Sequence, residues 1–167
     1  MGETKALMVA ALAAVTLSLE GCGFTPLYAT PGVSSGLSSI QVVAPQGRVA
    51  YLLREDLDDA LAHDKDAPPA YRLDFTVTET RGPRGLTIND VVERYELGLT
   101  VSYTLTAVAT GKIAHSGEVS SQVSYDESTQ PYSGIAARQD TQDRAASDAA
   151  RRIQLDLAAW MASHRNG

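Results

Sequence analysis

Three histidines, one cysteine, a short run of aspartates and three close-set arginines are the side chains in this sequence that could carry chemistry. His63, His115 and His164 are scattered, and no H-x-x-x-H or H-E-x-x-H spacing joins them into a metal site. His63 falls near the end of a helical stretch, where a cation suits the helix dipole. His115 lies on the apolar side of a strand and reads as a satisfied core residue, and His164 sits in the polar C-terminal tail. Asp56, Asp58 and Asp59 lack the glycine and closing glutamate of a calcium loop, so they read as a solvated helix face. In Arg81-Gly-Pro-Arg-Gly85 the proline removes an amide that a phosphate cradle would use, and the segment reads as a turn. The expectation is therefore a protein without catalytic residues, cofactor or metal. Arg81, Arg84 and Arg94 remain: a local excess of guanidinium in an acidic chain, suited to a phosphate-bearing lipid head group or simply to solvent.

The single cysteine excludes an intrachain disulfide and a thiolate zinc cluster. Its neighbourhood is more informative. Ala6 to Leu19 is an apolar run of 14 residues, too short for a spanning helix of about 20 but suited to a secretory signal. Leu19-Glu20-Gly21-Cys22 follows and resembles the lipobox of bacterial lipoproteins, with Glu20 departing from the usual small or uncharged residue. The expectation is a removed signal peptide over residues 1–21 and acylation of Cys22. Of 167 residues, 146 then remain. Two or more acyl chains anchor stably where one does not. Gly23 next to the cysteine favours the outer membrane.

The rest must be scaffold. The net charge of -6 and 6% aromatic content argue against nucleic acid as a partner. Gly23 to Leu37, rich in Gly, Pro, Ser and Thr, predicts an extended tether, so residues 22–37 are assigned to the lipidated N-terminus. Ser38–Val43 predicts a short strand. Val49, Leu52, Leu53, Leu57, Ala60 and Leu61 recur at helical spacing within Arg48–His63. Three segments then alternate with period two: one from Tyr71 to Thr78, a long one from Arg94 to Ala107, and one from Ile113 to Tyr125. In the last, Ile113, His115, Val119, Val123 and Tyr125 are expected on the apolar side. Asp126 to Gly134 reads as a loop. Ile135–Ser163 predicts a long helix with its stripe at Ala146, Ala149, Ala150, Ile153, Leu157, Trp160 and Met161, and with Arg151, Arg152 and Asp156 toward water. The order β-α-β-β-β-α predicts an α+β two-layer sandwich, with two helices packed on one face of a four-stranded mixed sheet, in one domain over residues 38–164. The polar sheet face carries Thr and Ser rather than charge. A charge-depleted patch has the composition of an interface core; exposed threonines also follow from β-propensity alone.

Cys22-Gly-Phe-Thr-Pro-Leu-Tyr28 resembles the mature N-terminus of alphaproteobacterial members of the LptE family of lipopolysaccharide-assembly lipoproteins. Asp148-Ala-Ala-Arg-Arg-Ile-Gln-Leu-Asp-Leu157 is similar to that family's last helix. The resemblance implies two helices on a four-stranded sheet and no enzymatic activity. It implies a lipid-anchored protein on the periplasmic side of the outer membrane. It also implies a partner: the β-barrel translocon LptD, which such a protein plugs and helps assemble, with lipopolysaccharide as ligand. On that reading Arg81, Arg84 and Arg94 are candidate lipopolysaccharide contacts, and alanine at Arg81 and Arg84 should weaken lipid binding but spare the barrel. The competing expectation is an outer-membrane lipoprotein serving as lipid-binding accessory of an ABC-type transport system.

Overall fold

The computed structural model describes residues 32–84, 94–126 and 131–164. The signal segment, Cys22 and the first part of the expected tether lie outside these residues.

The elements run α1 (Val33–Ser38), β1 (Ile40–Val43), α2 (Arg48–Ala60), β2 (Tyr71–Pro83), β3 (Arg94–Ala107), β4 (Ile113–Asp126) and α3 (Pro131–His164). The sheet order is β1-β2-β3-β4. Parallel β1 and β2 pair from Ile40↔Tyr71 to Val43↔Asp74, and α2 makes the crossover between them. The other pairs are antiparallel. The period-two pattern predicts this well. Leu73, Phe75, Leu97, Leu99, Val101, Tyr103 and Leu105 are buried on one face, beneath α2 and α3. Each fully buried Leu there contributes about 1.5–3 kcal/mol relative to exposure. The expected two-layer α+β sandwich is the observed architecture, with a third, short helix added.

That helix corrects the expected tether. Val33–Ser38 is helical, and Val33 and Leu37 are buried in the core, so the fold begins before residue 38. Two apolar residues four apart make one buried stripe even in a serine-rich hexamer. The expected turn at residues 81–85 is also corrected, because β2 continues through Arg81 and Gly82 to Pro83, paired with Leu97, Glu96 and Tyr95. The Arg84 amide bonds the Arg94 carbonyl, so the nitrogen of the neighbouring Pro83 faces the other side of β2. There β1 pairs only as far as Asp74, and an edge tolerates proline.

Ile113 is not on the apolar side. A register shift pairs Leu105 with His115 and Thr106 with Ile113, leaving Ala114 as the extra residue of a bulge. Ile113 is thereby turned out and is 68% exposed. Finally, α3 starts at Pro131 rather than Ile135, and Asp126 still belongs to β4. Proline suits the first helical position, where its missing N–H would have had no partner.

Candidate functional site

Both helices cover the same face of the sheet, which leaves the opposite face open. That face presents Thr76, Thr78 and Thr80 from β2, Thr100, Ser102, Thr104 and Thr106 from β3, and Ser116, Ser120, Gln122 and Ser124 from β4. Its charges are mostly neutralised in place. Arg72 pairs with Asp74 at 2.7 Å, whereas Glu118 keeps its charge and accepts from Ser102 at 2.8 Å. Gly98 sits opposite Thr80, where a side chain would meet the threonine hydroxyl at 2.6 Å, so the surface stays low there. A shallow depression crosses it between Asp74, Thr76, Ser102, Thr104, Ser116 and Glu118.

The three arginines lie at the far end of this sheet but do not share a face. Arg81 has the strand parity of Leu73 and points to the helix side. Its guanidinium carbon lies 3.8 Å above the Tyr95 ring, and its Nε donates to the Tyr125 hydroxyl at 2.6 Å. Tyr95 and Tyr125 stack across β3 and β4 with centroids 5.9 Å apart. Arg84 and Arg94 point to the open side. Arg84 pairs with Glu96 at 3.1 Å, and Arg94 pairs with its cross-strand neighbour Asp126 at 2.8 Å. The bonded charges hold each other: Asp126 titrates below its ordinary range and Arg94 above its own. Exposed Tyr132 and Ile135, in the first turns of α3, belong to the same end of the molecule, because Arg138 and Gln142 reach Glu79 of β2. Guanidinium groups and bare apolar side chains are thus combined at one end.

The histidines do not converge. His63 follows α2, with a buried Nδ1 that no described group satisfies. His164 caps Trp160 at the end of α3. His115 belongs to a polar lock that sequence reasoning missed. Asp156 of α3 is exposed, as expected, yet it accepts from the Tyr103 hydroxyl and lies 2.6 Å from His115 Nε2. One α3 carboxylate therefore ties the helix to β3 and β4. Partial burial pushes the Asp156 carboxyl up, but the Tyr103 hydroxyl and the His115 ring more than offset it and hold it below the usual range. Burial, then Asp156, push the Tyr103 hydroxyl up. The lock ties α3 to the sheet. Gly32-Val-Ser-Ser-Gly36 has the spacing of a nucleophile elbow, but such an elbow needs a strand-to-helix turn, and Ser34 is exposed within α1.

Replacing Asp156 with Ala should cost about 1–2 kcal/mol at neutral pH, because Tyr103 loses its acceptor. A carboxyl with a depressed folded pKa stabilises above its unfolded value of 3.8 and stops doing so as pH falls through the folded one. The difference between the two proteins in urea unfolding should therefore hold down to pH 3.8 and narrow only as pH falls below it.

A model of the LptE lipopolysaccharide-assembly family matches residues 37–157, most of the described fold. The chain belongs to the LptE family. A Caulobacter crescentus CB15 protein assigned as a lipoprotein is 47% identical, with a TM-score of 0.68 over 78% of this chain and 96% of that one. The rare lipoprotein B of Shewanella oneidensis shares the fold at 18% identity, with a TM-score of 0.55 over 72% of this chain and 92% of its own. A minor lipoprotein of Acinetobacter baumannii does so at 17% and 0.54, over 72% and 88%. No curated protein sequence matches the chain. LptE proteins are non-enzymatic outer-membrane lipoproteins of lipopolysaccharide assembly, and the chain is placed among them. Among the described residues no helix is long and apolar enough to cross a membrane.

Proposed function

We propose that this LptE-family chain is anchored through acylated Cys22 on the periplasmic side of the outer membrane, where it plugs and helps assemble the LptD β-barrel. It binds lipopolysaccharide as that lipid is inserted into the outer leaflet. The observation that carries the reading, within the family, is the open sheet face. A surface rich in Thr, Ser and Gln, with most of its charges paired, costs less to desolvate against a barrel lumen than a charged one. The arginine-bearing end supports the lipid part, since a phosphorylated glycolipid offers anionic groups to guanidinium and acyl chains to Tyr132 and Ile135.

Arg84 and Arg94 are the phosphate contacts in this reading, exchanging partly buried Glu96 and exposed Asp126 for phosphate. Arg81 braces the strand ends through Tyr95 and Tyr125. Detergent-solubilised outer membrane should yield an equimolar complex with a large β-barrel. R84A/R94A should weaken lipopolysaccharide retention about tenfold or more, the loss of roughly one charge-assisted hydrogen bond, and leave the barrel complex intact. Recovery of an inner-membrane transporter instead of a barrel would favour the ABC-accessory reading. Unchanged lipid retention in R84A/R94A would remove the arginines from the site.

A further inference from the structure

A groove opens where the described chain begins. It lies between α1, the start of β2 and the end of α3, and is lined by Gly32, Gly36, Tyr71, Trp160, Met161 and His164. Gly36 helps to shape it: a Cβ there would meet the Met161 sulfur at 2.6 Å, so Met161 would have to shift. Trp160 is the centre of a ring cluster. Tyr71 meets it edge-on at 5.8 Å, His115 stacks on it at 5.6 Å, and His164 lies at 5.1 Å. Yet the indole is only half-buried. The groove holds about 160 Å³. Small-molecule sites run to about 300–1,000 Å³, so this one has the size for a side chain rather than a free ligand.

The chain itself supplies the occupant. Gly32 is both a wall of the groove and the point from which the N-terminal segment departs. Just before it stand Phe24, Pro26, Leu27 and Tyr28, an apolar and aromatic group in an otherwise small and polar stretch. Tyr28 is four residues from Gly32 and Phe24 eight, so the connecting chain reaches about 13 Å and 27 Å when extended. Either ring can return to the groove. We infer that the segment Phe24–Tyr28 docks back onto its own domain, with an aromatic side chain seated against Trp160 and Met161. Thioether–aromatic and edge-to-face ring contacts favour such an occupant. Tethering by a few residues gives it an effective concentration in the millimolar range, so a weak contact is enough to populate it.

Docking changes what the tether does. Ten residues separate Cys22 from Gly32, a free reach of about 35 Å. With Tyr28 or Phe24 seated, six or two residues remain, about 20 Å or 7 Å. The fold is then held against its anchor in a set orientation. That consequence rests on acylation of Cys22; the docking does not.

Trp160 is the only tryptophan, so its fluorescence reads the groove directly. In the full chain, F24A/L27A/Y28A should shift Trp160 emission to longer wavelength and raise its acrylamide quenching, with far-UV circular dichroism unchanged. Unaltered emission and quenching would overturn the inference. Independently, a benzophenone amino acid at position 28 should crosslink within the chain to peptides containing Gly36, Tyr71 or Met161. Crosslinks elsewhere in the chain, to a second copy or to another protein would overturn it, as would none at all. Both readouts are available whether or not Cys22 carries lipid, so failure of the anchor reading leaves them interpretable.

Discussion

Leu157→Ala should destabilise the domain by about 2–5 kcal/mol, among the largest losses expected from a single truncation in α3. Leu157 is fully buried on the helix that packs against α1, α2, β3 and β4. Much of the neighbouring α3 surface is alanine, at 145, 146, 149, 150 and 158, all buried. A stripe so short of bulk draws its apolar contacts from few large side chains, chiefly Ile153 and Leu157. Small neighbours also cannot lean in to fill the space that leucine leaves, so cavity cost adds to transfer cost. Urea unfolding should show a lower midpoint with an unchanged slope. A changed slope would mean that the truncation also altered the compactness of a state or broke two-state unfolding.

Gly117→Ala should be the second large effect, about 1–3 kcal/mol, although it adds a single carbon. A Cβ at position 117 would stand 2.5 Å from the Tyr103 hydroxyl and 2.7 Å from its Cζ. Tyr103 is buried, and its hydroxyl is committed to Asp156. The ring therefore has no low-cost direction to move, and displacing it opens the lock that holds α3. Backbone strain is not the cause, because Gly117 is absent from the positive-φ residues. The check is a double-mutant cycle: in a Tyr103→Leu background, Gly117→Ala should cost much less than in the wild type. Equal costs in both backgrounds would rule out the steric account.

The elements that alternated or recurred over many residues were legible in the sequence. Leu97 to Leu105 could lie only on a half-buried strand, and Ile153 and Leu157 only on a buried helical stripe. Local exceptions were not legible, and each has its own physical cause. Val33 and Leu37 form a single helical repeat, too short to stand out from a serine-rich leader. The bulge at Ala114 turns Ile113 outward without any change in composition. Pro83 looks like a strand terminator until the sheet order shows that its nitrogen faces an edge. The site was read less well than the fold. Arg81 and Arg84 are neighbours in sequence, but their strand parity separates them, and parity could be counted only once the strand was known to run past Thr78. Asp156 is exposed, as its helix position predicts, but its partners Tyr103 and His115 lie 53 and 41 residues away and leave no local signal.

The long hairpin also works as a ruler. Trp160 of α3 meets Tyr71 at the first residue of β2, beside the point where the N-terminal segment enters. Arg84 and Arg94 close the opposite end. Thirteen residues of β2 span about 44 Å, while the hydrocarbon core of a bilayer measures about 30 Å. If the chain is anchored and enclosed in a barrel as proposed, a rigid body of that length would keep its tethered end at one membrane surface and set its arginines level with the other. On that proposal one protein would touch both leaflets without a spanning helix.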